Sequence, residues 1–192
     1  MPKSVTFDRE SIMDKVTTLF WKKGFNATSM QDLVDVTNLN RSSIYNTFGD
    51  KEAIFEESLR HYGKIQSKFT QEALQASKSP LENIHSFIKA ILSSIENDSD
   101  HKGCFISNCT AELGNKEGRV QQMLIENKDT VIGILQKKIE DAQKVGEINT
   151  DRDARRVAIF LFSSLQGLRI TSILTESKTD LEHLAEDILK II

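Results

Sequence analysis

Apolar residues recur at three- and four-residue spacing along almost the whole chain, the period of amphipathic helices. Ile12, Val16, Leu19 and Phe20 predict a first helix that begins near residues 6–8 and ends at Lys23. Gly24 stands where a helix C-terminus expects glycine, and Phe25 can fold back on the last turn. Met30, Leu33 and Val34 mark a short second helix, and Ile44 and Phe48, four apart, a short third. From Asp50, a helix cap, the stripe Phe55, Leu59, Tyr62, Ile65, Phe69 and Ala73 predicts a fourth helix of about six turns. Ser79-Pro80-Leu81-Glu82 is a restart signal, with serine as cap, proline at the first helical position and glutamate three after the cap. The helix that follows carries Ile84, Phe87, Ile88, Ile91, Leu92 and Ile95. A short helix over Phe105–Leu113, breakers at 114–118 and a long helix over 119–145, stopped by Gly146, come next. Asp151 is read as the cap of a helix over Ala154–Leu174, and Thr179 with Glu182 as the capping box of the last. The pattern gives an all-α fold of about nine helices.

The helix Ala154–Leu174 differs from the others. Val157, Leu161, Leu165 and Leu168 form one apolar face, but Ile159, Phe160, Phe162 and Ile170 are apolar as well. A helix apolar nearly all round is buried on more than one side. In a small protein a second copy is the economical cover, so Val157, Leu161, Leu165 and Leu168, with Leu181, Leu184 and Ile188 of the last helix, are the expected homodimer interface.

The segment 28–52, TSMQDLVDVTNLNRSSIYNTFGDKE, joins two short helices by a tight turn. Thr28 and Gln31 have capping-box spacing, Asn38 tolerates the left-handed backbone of a turn, and Asn40 can cap the next helix. That helix buries Ile44 and Phe48 and turns Arg41, Ser42, Ser43, Tyr45 and Asn46 outward. Two short helices about a tight turn make a helix-turn-helix unit, and these donors suit phosphates and base edges. A plain hairpin in a helical bundle has the same apolar pattern. The density of donors on one short helix separates the two.

From residue 20 through 52 the sequence resembles the DNA-binding domain of the TetR family of bacterial transcriptional regulators. Leu19-Phe20, Gly24-Phe25, Thr28-Ser29-Met30, Leu33-Val34, Leu39, Ser43-Ile44-Tyr45, Phe48 and Lys51-Glu52-Ala53-Ile54 carry the resemblance, in the family's order and spacing. The family usually has glycine at Asn38, serine at Asn40 and a ring near Asn46 and Thr47, differences that bear on which operator is read. The resemblance implies a three-helix head over 1–52, with its motif at about 28–48, and a helical effector-binding and dimerisation body over 53–192. It implies a homodimer held through a four-helix bundle, bound to a palindromic double-stranded operator and released when a small-molecule effector moves the heads apart. Thr28, Ser29, Arg41, Ser42, Ser43, Tyr45, Asn46 and Lys51 are the expected DNA contacts, with Thr28, Tyr45 and Lys51 on phosphates.

Composition narrows the picture further. The 192 residues are 39% hydrophobic and 28% charged with 2 Pro and 9 Gly, enough for a helical protein with real cores. A net charge of −3 does not argue for nucleic acid, but local charge decides when only one end touches DNA. Two cysteines, Cys104 and Cys109, are too few for a disulfide framework and fit a reducing cytoplasm. The N-terminal residues lack the apolar core of a signal peptide, and the longest apolar run, 157–162, is too short for a bilayer, so no membrane role is expected. No phosphate loop, His-Glu-x-x-His, Gly-x-Ser-x-Gly or paired cysteine ligands occur, so neither an enzyme, a metal nor a cofactor is expected. A pocket is expected in the body, with Phe87, Ile91, Phe105, Asn108, Met123 and Asn127 of suitable character and Cys104 at a helix start where a thiol can be activated.

Overall fold

In the computed structural model, which describes residues 8–175 and 177–192, nine α-helices joined by short turns and loops occur among the described residues. They are α1 (Arg9–Lys23), α2 (Met30–Thr37), α3 (Arg41–Phe48), α4 (Lys51–Ala73), α5 (Pro80–Glu96), α6 (Phe105–Leu113), α7 (Arg119–Lys144), α8 (Ala154–Leu174) and α9 (Lys178–Lys190). Asp8 caps α1; Thr6, the outer limit of the predicted start, lies outside the described residues. Gly24, at φ 79°, ends α1, and Phe25 folds back to stack on Phe20 at 6.4 Å between ring centroids.

Three caps lie one or two residues from where the sequence suggested. The box that opens α2 is Ser29 with Asp32, not Thr28 with Gln31: Asp32 takes the Ser29 backbone N–H at 2.7 Å while Ser29 Oγ takes the Asp32 N–H at 3.1 Å. Asp153, not Asp151, caps α8, and Ser177 with Asp180, not Thr179 with Glu182, opens α9. In each case another polar residue stood close by, and the cap is the one whose side chain accepts the backbone N–H three residues on. Asp50, Ser79 and Asn40 cap α4, α5 and α3 as expected.

Two cores form. One joins α1, α2, α3, the first half of α4, α6 and the start of α7, and is centred on Phe20, Phe55 and Phe105. The other lies between α5, α7, α8 and α9 and is almost wholly aliphatic, built on Ile84, Ile88, Ile91, Leu135, Ile139 and Leu161. α4 runs from the first toward the second, but its predicted stripe is broken at Ile65, which is exposed.

The structure corrects the expected dimer surface. Val157, Leu161, Leu165, Leu168, Leu181 and Ile188 are buried within the single chain, packed on α5 and α7. Of the expected set only Leu184 is exposed. On the opposite flank of α8, Ile159, Phe160 and Leu174 are exposed, Ile170 borders α6 and α7, and Ile173 lies against Gly103; Leu184 and Ile191 of the C-terminal segment are exposed as well. α8 is apolar on both flanks, and the more regular leucine face is the one the chain uses for itself. By length and composition alone α8 could cross a membrane, yet its leucine face is core of this domain.

Candidate nucleic-acid interface and effector cavity

α2 and α3 meet at Asn38, which adopts φ 56° and donates its backbone N–H to Val34 O at 2.9 Å. A left-handed residue is needed to turn the chain this sharply, and asparagine supplies it where the side chain is exposed. Leu33 and Ile44 pack inward with no exposure, fixing the crossing of the two helices. On the outer side of α3, Arg41, Ser42, Tyr45 and Asn46 are exposed and Ser43 is half-buried, its backbone N–H held by Asn40 Oδ1 at 2.8 Å. Arg41 lies in the first turn and Tyr45 and Asn46 one turn later, so cation, hydroxyls, phenol and amide share one edge.

Three expected DNA contacts have other work in this structure. Thr28 is buried, and its hydroxyl donates to Gly24 O at 2.6 Å, so it braces the α1–α2 loop. Ser29 is exposed but its hydroxyl and backbone N–H are both bonded to Asp32. The Asp32 carboxyl also accepts from Lys23 at 2.7 Å; this ammonium first, and Ser29 next, hold it far below the usual carboxylate range. Lys51 Nζ donates to Phe25 O and Thr28 O, each at 2.9 Å, and lies 4.3 Å from the centre of the Phe25 ring. The α1–α2 loop has two carbonyls without helical partners, and a cation at the start of α4 satisfies both.

The head is also bound to α6. Glu112 accepts from Phe25 N at 3.0 Å, Asn26 N at 2.7 Å and Asn26 Nδ2 at 2.7 Å. Gly24 makes room for it: a Cβ there would lie 3.0 Å from Glu112 Oε2. Nearby, Trp21 donates to Lys102 O at 3.2 Å and packs edge-on against Tyr62. The sequence gives no local signal for Glu112, which lies more than eighty residues from its partners.

The other end of α6 faces a cavity of about 60 Å³ bounded by α4, α5, α7 and α8. Phe87, Ile91, Cys104 and Asn127 line it as expected. The remaining expected residues do not. Phe105 points the other way, into the aromatic core between Phe55 and Tyr62; Asn108 turns outward, donating to Lys102 O at 2.8 Å; Met123 packs at the junction core. Tyr62, Gln66, Thr70, Gln166 and Arg169 complete the wall and escaped the sequence reading. One of them had a signal: Arg169 is the sole charged residue of α8 beyond Arg156. A wider apolar passage of about 380 Å³ lies beside the chamber between α6, α7 and α8, sharing Ile106, Asn127, Phe162 and Gln166 with it.

The two cysteines sit in opposite electrostatic settings. Cys104, the N-cap residue of α6, receives the Tyr62 hydroxyl at 3.6 Å. Burial alone would push its thiol up, but the Arg169 charge and hydrogen bonds from Ser107 and Tyr62 outweigh burial and draw it below the ordinary thiol range. Burial, with Glu112 adding to it, pushes the Cys109 thiol far up. Both cysteines are free.

Comparison with known proteins agrees with this arrangement. Residues 12–58 match the model for bacterial regulatory proteins of the tetR family, and residues 80–188 match that for the tetracyclin repressor-like C-terminal domain. The HTH-type transcriptional repressor ComR of Escherichia coli is 30% identical over 168 residues, covering 86% of this chain and 80% of ComR. The HTH-type transcriptional repressor DhaR of a Mycobacterium strain is 27% identical over 160 residues, 83% of this chain and 79% of DhaR. A cysteine mutant of the regulator CifR, solved with 26-base-pair operator DNA, superposes with a TM-score of 0.83 at 22% identity, covering 96% of this chain and 97% of that one. A helix-turn-helix head with donors on its third helix, carried on a helical body that the C-terminal family model spans, places this chain in the TetR family of DNA-binding transcriptional regulators.

Proposed function

We propose that this protein is a cytoplasmic, homodimeric repressor that holds a palindromic operator through α3 of each copy and lets go when a small molecule enters the body. The observation that carries the reading is the double engagement of α6. Its N-terminal half borders the chamber through Cys104 and Ile106, and its C-terminal half grips the head through Glu112. A ligand that displaces α6 acts on the α1–α2 loop, and through it on α3, without touching either.

Two copies meet through the outward flank of α8 and α9, where the apolar side chains Phe160, Leu174 and Leu184 are exposed. The reading is tested by selecting bound sites from random duplex DNA and measuring assembly of parent and Phe160→Asp by sedimentation. A two-fold symmetric site and a parent dimer that dissociates on Phe160→Asp are expected. An asymmetric selected site, or a dimer unaffected by Phe160→Asp, would sink it. Leu165→Asp is not a suitable probe, since Leu165 is intrachain core.

A thiol-reactive effector is a second reading, favoured by Cys104 on the chamber wall facing the Arg169 charge, which draws its thiol below the ordinary range. Operator release by quinone that survives Cys104→Ser would rule it out.

A further inference from the structure

We infer that the chamber between α4, α5, α7 and α8 binds the head of an amphipathic carboxylic acid, with Arg169 as counter-ion and the apolar passage beside it taking the tail. The starting observation is a half-buried guanidinium without an acid. Arg169 has no side-chain hydrogen bond or ion pair among the described residues. Among the described residues no carboxylate lines the chamber. Arg169 also borders a neighbouring cleft, whose sole carboxylate, Asp98, is already committed to Lys102 Nζ at 2.8 Å and the Gly103 backbone N–H at 2.9 Å.

The groups around Arg169 complete an acceptor-binding site. Gln66 and Asn127 reach the same chamber with amides that have no hydrogen-bond partner among the described residues, and an amide N–H is a donor to a carboxylate. A planar guanidinium fork fits a carboxylate two-for-two, and in a partly desolvated site such a pair is far stronger than in water. The Arg169 field reaches into the chamber, since it lowers the Cys104 thiol against the effect of burial. Size and polarity set the rest of the ligand. The chamber of about 60 Å³ takes a head group of a few atoms, whereas the passage of about 380 Å³, with Ile106, Leu124, Ile125 and Phe162 on its walls, suits a hydrocarbon chain or ring. A cationic ligand would meet Arg169 with no acid to offset it, and a neutral one would leave the guanidinium unpaired.

The inference deepens the reading of this chamber as the effector site and depends on that reading for the consequence of binding, not for binding itself. Isothermal calorimetry of the full chain with octanoate and with octanamide, which differ only at the head, tests it. Octanoate is expected to bind at least tenfold tighter than octanamide, Arg169→Gln to erase that preference, and Arg169→Lys to recover part of it; melting of each variant without ligand checks its fold. Equal affinities in the parent, no octanoate binding, or a preference that persists in Arg169→Gln would overturn the assignment. Operator affinity with and without octanoate is measured separately. Tight octanoate binding that leaves operator affinity unchanged removes the repressor-release reading and leaves the carboxylate site standing.

Discussion

The two cores of this chain are built from different chemistry. At the junction between head and body the core is aromatic: Phe20, Phe25, Phe55, Trp21, Tyr62 and Phe105 meet largely edge-to-face, at centroid distances of 4.8–6.4 Å. Directional hydrogen bonds from Trp21 and to Glu112 surround it. The body core is mainly isoleucine and leucine; among the described residues Phe87 is its one buried aromatic side chain, with Phe69 and Phe162 packed at its edge. Edge-to-face rings and charged hydrogen bonds specify an orientation, while aliphatic packing specifies little beyond volume. The head is therefore held at a defined angle, whereas the body around the chamber can repack to admit a guest.

The sharpest way to break this contrast is to cut one ring from each core. Phe55→Ala and Phe87→Ala should each lose about 3–5 kcal/mol in denaturant unfolding. Only Phe55→Ala should also weaken operator binding by the fraction that stays folded. Equal DNA affinities for the two folded variants would show that the junction does not set the angle of the head.

Glu112→Gln probes the latch with less damage. It keeps the shape but gives up charge-assisted acceptance from two backbone N–H groups, a loss of about 1–3 kcal/mol. Operator affinity should fall by a comparable amount, and effector should add little further. An unchanged ratio of affinities with and without effector would remove Glu112 from the relay.

Next in size are two cations of the head. Arg41→Ala should cost about 1–3 kcal/mol on a selected operator if its side chain reads a base edge, with relaxed preference at particular base pairs. Lys51→Ala should weaken binding to all duplexes while leaving the salt slope unchanged, because its ammonium braces carbonyls. A slope flattened by about one unit in Lys51→Ala would return this lysine to the phosphates.

The smallest effect concerns the thiols. Alkylation at pH 7.5 should label Cys104 before Cys109, since the first thiol is drawn below its ordinary range and the second pushed above it. Mass spectrometry after brief exposure checks the order, and the reverse order would contradict the electrostatic setting described for the chamber.

What the sequence made legible follows from how local each feature is. The turn at Asn38 and the cap at Asn40 rest on neighbours within four residues, and the structure has both where the sequence puts them. Caps failed where two polar residues competed for one helix start, as at Thr28 and Ser29. The α8 face failed for a different reason: both flanks are apolar, and only the positions of α5, α7 and α9 decide which of them turns inward. Lys51 and Glu112 lay beyond reach because their partners are backbone atoms, which leave no mark in the spacing of side chains.

The Glu112 latch has a bearing on protein engineering. Heads of such regulators invite transplantation, to give one body a new operator, and a splice near residue 52 looks natural from the motif. Here that splice would separate a carboxylate from the loop it grips, and Phe55 and Phe105 from Phe20. A donor head would have to bring a residue as small as Gly24, together with loop amides aimed at the host's acid. A chimera lacking that match would hold its operator weakly and respond little to its inducer, so compatibility at positions 24, 26 and 112 should be screened before any recognition helix is exchanged.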